Sequence, residues 1–489
     1  MHGHDPGKDR RLMSQANTLE APGVYRDRAE VMEVSSGMAN VNSRTIFLSL
    51  LSLLVLSAIP YGTSQPWWIA TFVTFSFALV IVWIVDGYRR DSWLAGTGPL
   101  LLPLAALAAF TFVQTISFGN GAAGIRFPVW NAISADPYQT RFFVLLLSAL
   151  ALCGVLLSRY AATEKRMRIV INVIICVAIA SALFGIVRQT TQHSKGFGLA
   201  LLMPESGYGQ FINKNHFAYL MEMALGLVLG LVLLRGVKRE QSLIYVAALL
   251  PLWTGLVLCG SRGGLVAMMA QVLVAILLFS GRGRRHSSKD ASFLRITRSL
   301  PVRITLMLVL ILGVLIGTFW LGGDQLASRI EESRLELNTD TSALRQGASR
   351  NEIWRATWKM FVAHPIAGVG LAGYWAAVPA FHDASGTLTP QQAHNDYLEL
   401  LASGGVIGTL LVIWFAVIVI RRIRENLKSE NRFRRSACFG ATVGIAGVAV
   451  HSLVDFGLHT IVNALVFTTL IVIATSNAQW KNERAHAES

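Results

Sequence analysis

Apolar runs of about twenty residues, separated by short polar and often basic loops, constrain this chain more than any other feature. "IFLSLLSLLVLSAI" (46–59) and "ITLMLVLILGVLIGTFWLG" (304–322) are two of them. Roughly 20 residues of helix cross the ~30 Å hydrocarbon core of a bilayer. Inside lipid every backbone N–H and C=O must be satisfied within the protein, so spans this long are helices. The pattern predicts twelve crossings, near 45–62, 66–86, 98–118, 141–158, 169–188, 215–234, 243–260, 264–281, 304–322, 397–420, 437–456 and 459–475. Only 15% of the residues are charged and 53% are hydrophobic, whereas soluble domains carry about a quarter charged. The expected class is an all-α polytopic membrane protein.

Basic residues orient it. Most of the 43 Lys and Arg fall in alternate loops, among them "RGRRHSSKD" and "RRIRENLKSENRFRR", as the positive-inside rule requires. Both termini are thereby expected in the cytoplasm. The net charge of +15 reads as a topology signal and a surface for anionic membrane lipids, not as a nucleic-acid interface. The expected organisation is a disordered cytoplasmic tail (1–43), a bundle of nine helices (44–322), a long loop on the opposite side (323–396), three further helices (397–475) and a short cytoplasmic tail (476–489). The first crossing would act as an uncleaved signal anchor. Cys153, Cys176, Cys259 and Cys438 fall within crossings at unrelated spacings, so neither a disulfide framework nor a zinc pattern is expected.

The long loop is built to fold. In "SRNEIWRATWKMFVAHP", Ser349 and Glu352 have capping-box spacing and Pro365 supplies a stop. Ile353, Ala356, Met360 and Phe361, with Trp354 and Trp358, give an amphipathic stripe. Arg350 in the first turn suits an anion, since helix starts already present free N–H groups. The alternative for Arg350, and for Arg355, is plain solvation or contact with lipid headgroups.

Other polar groups map to the same side. "CGSRGGL" places Arg262 between two crossings that almost touch, and an arginine at membrane depth faces a cavity or partner, or snorkels to headgroups. "GQFINKNHFAYLMEMALG" crowds Asn213, Lys214 and Asn215 at the start of the sixth crossing, with Tyr219 and Glu222 on the same face as Asn215. Glu222 reads either as a functional group or as half of a pair with a neighbouring helix. Arg188 ends the preceding crossing on that side. In "QQAHNDYLELLASGGVIG" the stripe His394, Tyr397, Leu398, Leu401 would point the imidazole over the bundle, with Asn395 and Asp396 to orient it or hold hydroxyl groups of a ligand. "GVGLAG" (368–373) lacks the strand a dinucleotide site needs. His451 and Asp455, one turn apart and followed by His459, read as a buried hydrogen-bonded pair in preference to a metal pair.

"HNDYLELLASGGVIGT" resembles the H-[NSQ]-x9-G-x-x-G-[GTY] pattern of the bacterial O-antigen ligase superfamily, with His394, Asn395, Gly405, Gly408 and Thr409 at its fixed positions. "SRGG", "FINKNHFA" and "RNEIW…HPIAGVG" are similar to further signatures of that family, as is the plan of twelve crossings with a long loop after the ninth. The resemblance spans roughly 45–475. It implies a glycosyltransferase of the bacterial inner membrane, working on the periplasmic face without metal or other cofactor. Its donor would be a saccharide on undecaprenyl diphosphate and its acceptor a sugar hydroxyl, on lipid A–core in true ligases. His394 would be the catalytic residue, with Arg262, Arg350 and Lys214 binding the diphosphate. Arg188, Asn213, Asn215, Asn395 and Asp396 would support them. Repeat-unit polymerases share the scaffold, and a polysaccharide-lipid transporter is the alternative from another class.

Overall fold

The computed structural model describes residues 43–59, 61–90, 98–117, 132–192, 207–280, 350–382 and 390–476. These form helices α1 (Ser43–Leu56), α2 (Pro66–Arg90), α3 (Gly98–Val113), α4 (Pro137–Tyr160), α5 (Glu164–Gln192), α6 (Lys214–Leu233), α7 (Arg239–Leu258) and α8 (Arg262–Ser280). After them come α9 (Arg350–Ala363), the single-turn α10 (Tyr374–Ala377), α11 (Asp396–Asn426), α12 (Arg432–His451) and α13 (Ile461–Thr475). Among the described residues, extended pairing is limited to two isolated bridges, Ser117–Ala132 and Tyr208–Phe211. The protein is an all-α polytopic membrane protein.

Seven described helices are long and apolar enough to cross a membrane: α2, α4, α5, α6, α7, α8 and α11. Three apolar helices, α1, α3 and α13, are shorter. The ninth predicted crossing (304–322), the loop residues before Arg350 and both predicted tails beyond 43–476 lie outside the described residues, so the count of twelve goes beyond what these helices show.

Helix α6 is the centre. Within its apolar window 83% of residues are buried, against 28–44% for the other six long helices. It packs most extensively on α12, because both helices present glycines four residues apart. A Cβ at Gly226 would lie 2.4 Å from Gly444 N, and one at Gly230 2.4 Å from Gly440 Cα. Lipid gives no hydrophobic drive between helices, so this backbone approach supplies the dispersion contacts that hold them. One turn further along, the buried Glu222 carboxylate pairs with His451 Nδ1 at 2.7 Å, the neighbouring-helix partner that sequence left open. Tyr219 stacks on the His451 ring, with centroids 4.2 Å apart.

The second organising feature is a break in α11. Gly405 has φ 60 and ψ −164 inside an otherwise helical run. The chain of 365–370 docks there: Val406 N donates to Pro365 O (2.8 Å), Val369 N to Ala402 O (3.0 Å) and Gly370 N to Ser403 O (3.0 Å). Gln114, just past α3, clamps both sides, donating to Ala367 O and Ser403 O and accepting from Leu371 N. "GVGLAG" is therefore the strip that satisfies the broken helix. A Cβ at Gly368 would meet Ser403 C at 2.3 Å, and one at Gly405 would meet Ile366 O at 2.4 Å.

The α6–α12 contact yields a direct test. Gly230→Leu would drive a side chain into Gly440 backbone and is expected to abolish the monodisperse peak of the detergent-solubilised protein. Gly98→Ala, where a Cβ meets nothing within 4 Å, is expected to leave elution and melting unchanged. Normal elution of Gly230→Leu would overturn the packing argument.

Candidate active site

Four helix starts, those of α6, α8, α9 and α11, and two links meet at the Lys214 end of α6. Asn213 caps α6, its side chain accepting from Asn215 N at 2.9 Å. This leaves Lys214 and Asn215 as the first residues of the helix, both half-buried. Ser261 heads α8 in the same way, accepting from Gly264 N at 3.1 Å. Arg262 thus stands exposed at the helix start. The next residue, Gly263, lies against the link after α12: a Cβ there would fall 2.5 Å from His451 Nε2 and 3.0 Å from Val454 Cγ2. Arg350 opens α9, also exposed.

His394 lies two residues ahead of α11, not on its stripe. Its φ is 52, left-handed and costly for a residue with a side chain. The surroundings enforce it. Ala393 N donates to Glu399 Oε2 (2.7 Å), Trp354 Nε1 of α9 donates to Ala393 O (3.0 Å), and Asp396 N donates to Ser452 O (2.9 Å). Asn395 is the cap of α11, accepting from Tyr397 N and Leu398 N at 3.1 and 3.0 Å. That oxygen is committed to the helix start, so Asn395 positions the turn instead of the imidazole.

The imidazole faces the link between α12 and α13. His394 Nδ1 is 3.9 Å from Asp455 Oδ1, and the ring meets Phe456 edge-on at 4.8 Å between centroids. Asp455 is buried and is itself held, accepting from Asn215 Nδ2 on its other oxygen. Burial lowers the pKa of His394; the Asp455 carboxylate pulls it back up and the Arg350 charge lowers it further. Its net direction is down, so the ring is neutral at pH 7. Arg350 is thus within electrostatic reach of the histidine.

His459 completes the mouth. It lies 3.5 Å from Asp396 Oδ1 and 4.0 Å from Glu399 Oε1. Loss of bulk water lowers its pKa, but the bond to Asp396 and the charges of Glu399 and Asp455 outweigh that and raise it to about 9. The structure thus separates two histidines: His394, neutral and strained, and His459, cationic and paired.

His394, Asn215, Arg350 and Asp396 are brought together, with Lys214 and Arg262 one residue from groups that line the cluster. Arg188 serves the preceding turn, where its buried guanidinium donates to Gly209 O at 2.7 Å. The side chains of His451 and Asp455 do not pair, although Asp455 N donates to His451 O at 3.1 Å. Each side chain goes to a different partner; Asp455 and His459 are site residues outside the predicted set, and Phe456 is a further one that the sequence reading did not name. The one sequence signal for them was an aspartate and a histidine flanking an aromatic at the end of a crossing.

The class so defined is a polytopic helical membrane protein with a histidine–carboxylate cluster at one end of its bundle, Arg350 within electrostatic reach of it and Lys214 and Arg262 at neighbouring helix starts. A family model described as O-antigen ligase matches residues 247–413. That match takes in Arg262, Arg350 and His394 and supports a relation to the O-antigen ligase superfamily, whose members are membrane ligases and polymerases. No curated protein gives a significant match to the chain.

The raised pKa of His459 has a thermodynamic consequence. Its ion pairs contribute stability that is fully present below about pH 6.5, the ordinary histidine value, and is lost as pH rises through about 9. The melting temperature of the wild type is expected to fall across that window more steeply than that of His459→Gln. Parallel profiles would show that His459 is not held charged.

Proposed function

We propose that the protein is a glycosyltransferase of O-antigen ligase type, moving a polysaccharide from undecaprenyl diphosphate to a sugar hydroxyl of lipid A–core or a related acceptor. The observation that carries this is the His394–Asp455 pair beside Arg350, with His394 and Arg350 inside the stretch that matches the ligase family and Asp455 brought to them by the fold. The bundle would sit in the inner membrane with both termini cytoplasmic and this cluster on the periplasmic face, a reading supported by the distribution of Lys and Arg.

The chemistry follows from the groups present. The acceptor oxygen attacks the anomeric carbon of the donor, and the bond from that carbon to the phosphate oxygen breaks. The hydroxyl proton passes to His394 Nε2, while Asp455 holds Nδ1–H and stabilises the imidazolium that forms. General-base help of this kind is worth ~10²–10⁴-fold. The leaving group is a lipid diphosphate that takes the electron pair with it. It needs positive charge more than a proton, and Arg262, Arg350 and Lys214 supply that with the N-terminal N–H groups of α8 and α9. The 3.9 Å separation of His394 and Asp455 is the looser geometry of a site without substrate and would tighten with it.

Two variants separate these roles. The base must be neutral, so activity rises with pH through the pKa of His394. Asp455→Asn removes the charge that raises this pKa: its acidic limb is expected to move to lower pH and its maximal rate to fall ~10²-fold. Arg350→Gln removes a charge that lowers it: its limb is expected to move to higher pH. Shifts of the same sign would dismiss the assignment. In a knockout strain, His394→Ala is expected to leave long chains on the lipid carrier and bare lipid A–core. Single repeat units on the carrier would instead make the enzyme a polymerase, and normal surface polysaccharide would rule out transfer through His394.

A further inference from the structure

The opposite end of the bundle holds a cavity that the transfer reaction does not use. It has a volume of about 280 Å³ and is lined by Glu164 and Arg168 at the start of α5, Arg235–Lys238 between α6 and α7, and Asn431, Arg432 and Phe433 at the start of α12. Since α6 runs 20 residues from Lys214 to Leu233, this cavity lies ~30 Å from the His394 cluster. The three segments that form it belong to loops assigned to the cytoplasm by their basic residues.

Its charge is unbalanced. Arg168, Arg235, Lys238 and Arg432 face a single acid, Glu164, among the described residues lining it. Glu164 is already engaged, bridging to Arg168 at 2.7 Å and accepting from Asn431 Nδ2 at 3.3 Å. Arg168 is also fixed in place: it donates to Gly236 O at 3.1 Å and lies over the Phe433 ring at 3.8 Å. It therefore forms a rigid cationic wall. Arg235, Lys238 and Arg432 are exposed around it. Arg235 is held in the left-handed region at φ 54 by the turn that ends α6. Lys238 heads α7 without any side-chain cap, so the first N–H groups of that helix add a positive end to the same space. Glu240 and Glu430, the acids nearest in sequence, are exposed and do not line the cavity.

Directly beyond Lys238, α7 presents an apolar stripe outward: Leu243 is 75% exposed, Ile244 68% and Leu250 65%. A cationic cavity continuous with an unpartnered apolar helix face matches a molecule with a phosphate at one end and acyl chains at the other. We propose that the cavity seats the headgroup phosphate of an anionic phospholipid, whose acyl chains lie along α7. Arg168 and the start of α7 hold the phosphate, and Arg235, Lys238 and Arg432 close over it. The site would fix the depth and tilt of α6 and α12 at their inner ends. It depends on the membrane orientation of the bundle and not on the reaction at the other end.

The test uses the full chain in detergent. Native mass spectrometry with phosphatidylglycerol and phosphatidylethanolamine of matched chains reads the lipid retained. The wild type is expected to prefer phosphatidylglycerol, and Arg235→Ala/Lys238→Ala/Arg432→Ala to bind it at least about tenfold more weakly with unchanged elution. Lys238→Gln alone, on an exposed side chain, is expected to lower it about threefold and serves if the triple variant does not fold. Equal retention of both lipids by the wild type, or an undiminished preference in the variants, would overturn the proposal. So would complete displacement of phosphatidylglycerol by equimolar inorganic phosphate, since a free anion and not a lipid would then own the site.

Discussion

The backbone contact between α6 and α12 governs everything built at their ends. Four glycines bring the two helices so close that the Glu222–His451 pair is sealed from water between them. A buried pair of this kind contributes little net stability, because the cost of desolvating both groups nearly cancels their attraction, but removing one partner leaves an uncompensated polar group. Its value is in register. With His451 fixed on Glu222 and Tyr219, the chain leaves α12 at a set rotation and carries Asp455 to Asn215 at the start of α6. Gly457 closes the turn against Tyr219, where no side chain would fit. The carboxylate beside His394 is thus positioned by contacts that begin well inside the bundle.

The break at Gly405 does the same for the other half of the site. A continuous helix from Asp396 would leave the docked strip 365–370 without partners. The positive φ at Gly405 frees the groups of Ala402 and Ser403 to accept from Val369 and Gly370. This explains the spacing from His394 to Gly405: nine residues carry the chain from the helix start to the point where α9 and its following strip are tied on. Because Trp354 of α9 also holds Ala393, the same strip sets where Arg350 stands relative to His394. Thr409 seals the break by donating to Gly405 O at 2.8 Å.

Much of this was legible from residues alone. The helices follow from apolar length, and α9 follows from its stripe: Ile353, Ala356 and Met360 are buried as their spacing requires, while Phe361 is only half-buried. The shared face of Asn215, Tyr219 and Glu222 was legible too, since a helical period fixes it. What escaped was tertiary. Nothing local distinguishes Asn395 as a cap from Asn395 as a ligand, and a stripe drawn through His394 assumes a helix that starts two residues later. Asp455 and His459 look like partners of His451 on a helical wheel, yet α12 ends at His451 and the link turns them onto other helices. Arg188, grouped with the site by topology, is spent on Gly209 because burial demands a bonded carbonyl for its guanidinium.

The cluster places opposed charges on one imidazole, and their balance decides what it can do. Asp455 alone would raise the histidine and leave it protonated, unable to take a proton. Arg350 and burial alone would make it neutral but weakly basic and poorly oriented. Together they keep the ring neutral while one of its nitrogens faces a carboxylate. The second histidine could not substitute, because Asp396 and Glu399 hold His459 already protonated and so unable to accept a proton. The two histidines thus differ in charge state, one held cationic by its carboxylates and one kept neutral. The turn at Ser452–Thr460 and the cap at Asn395 produce that division from two residues of the same type.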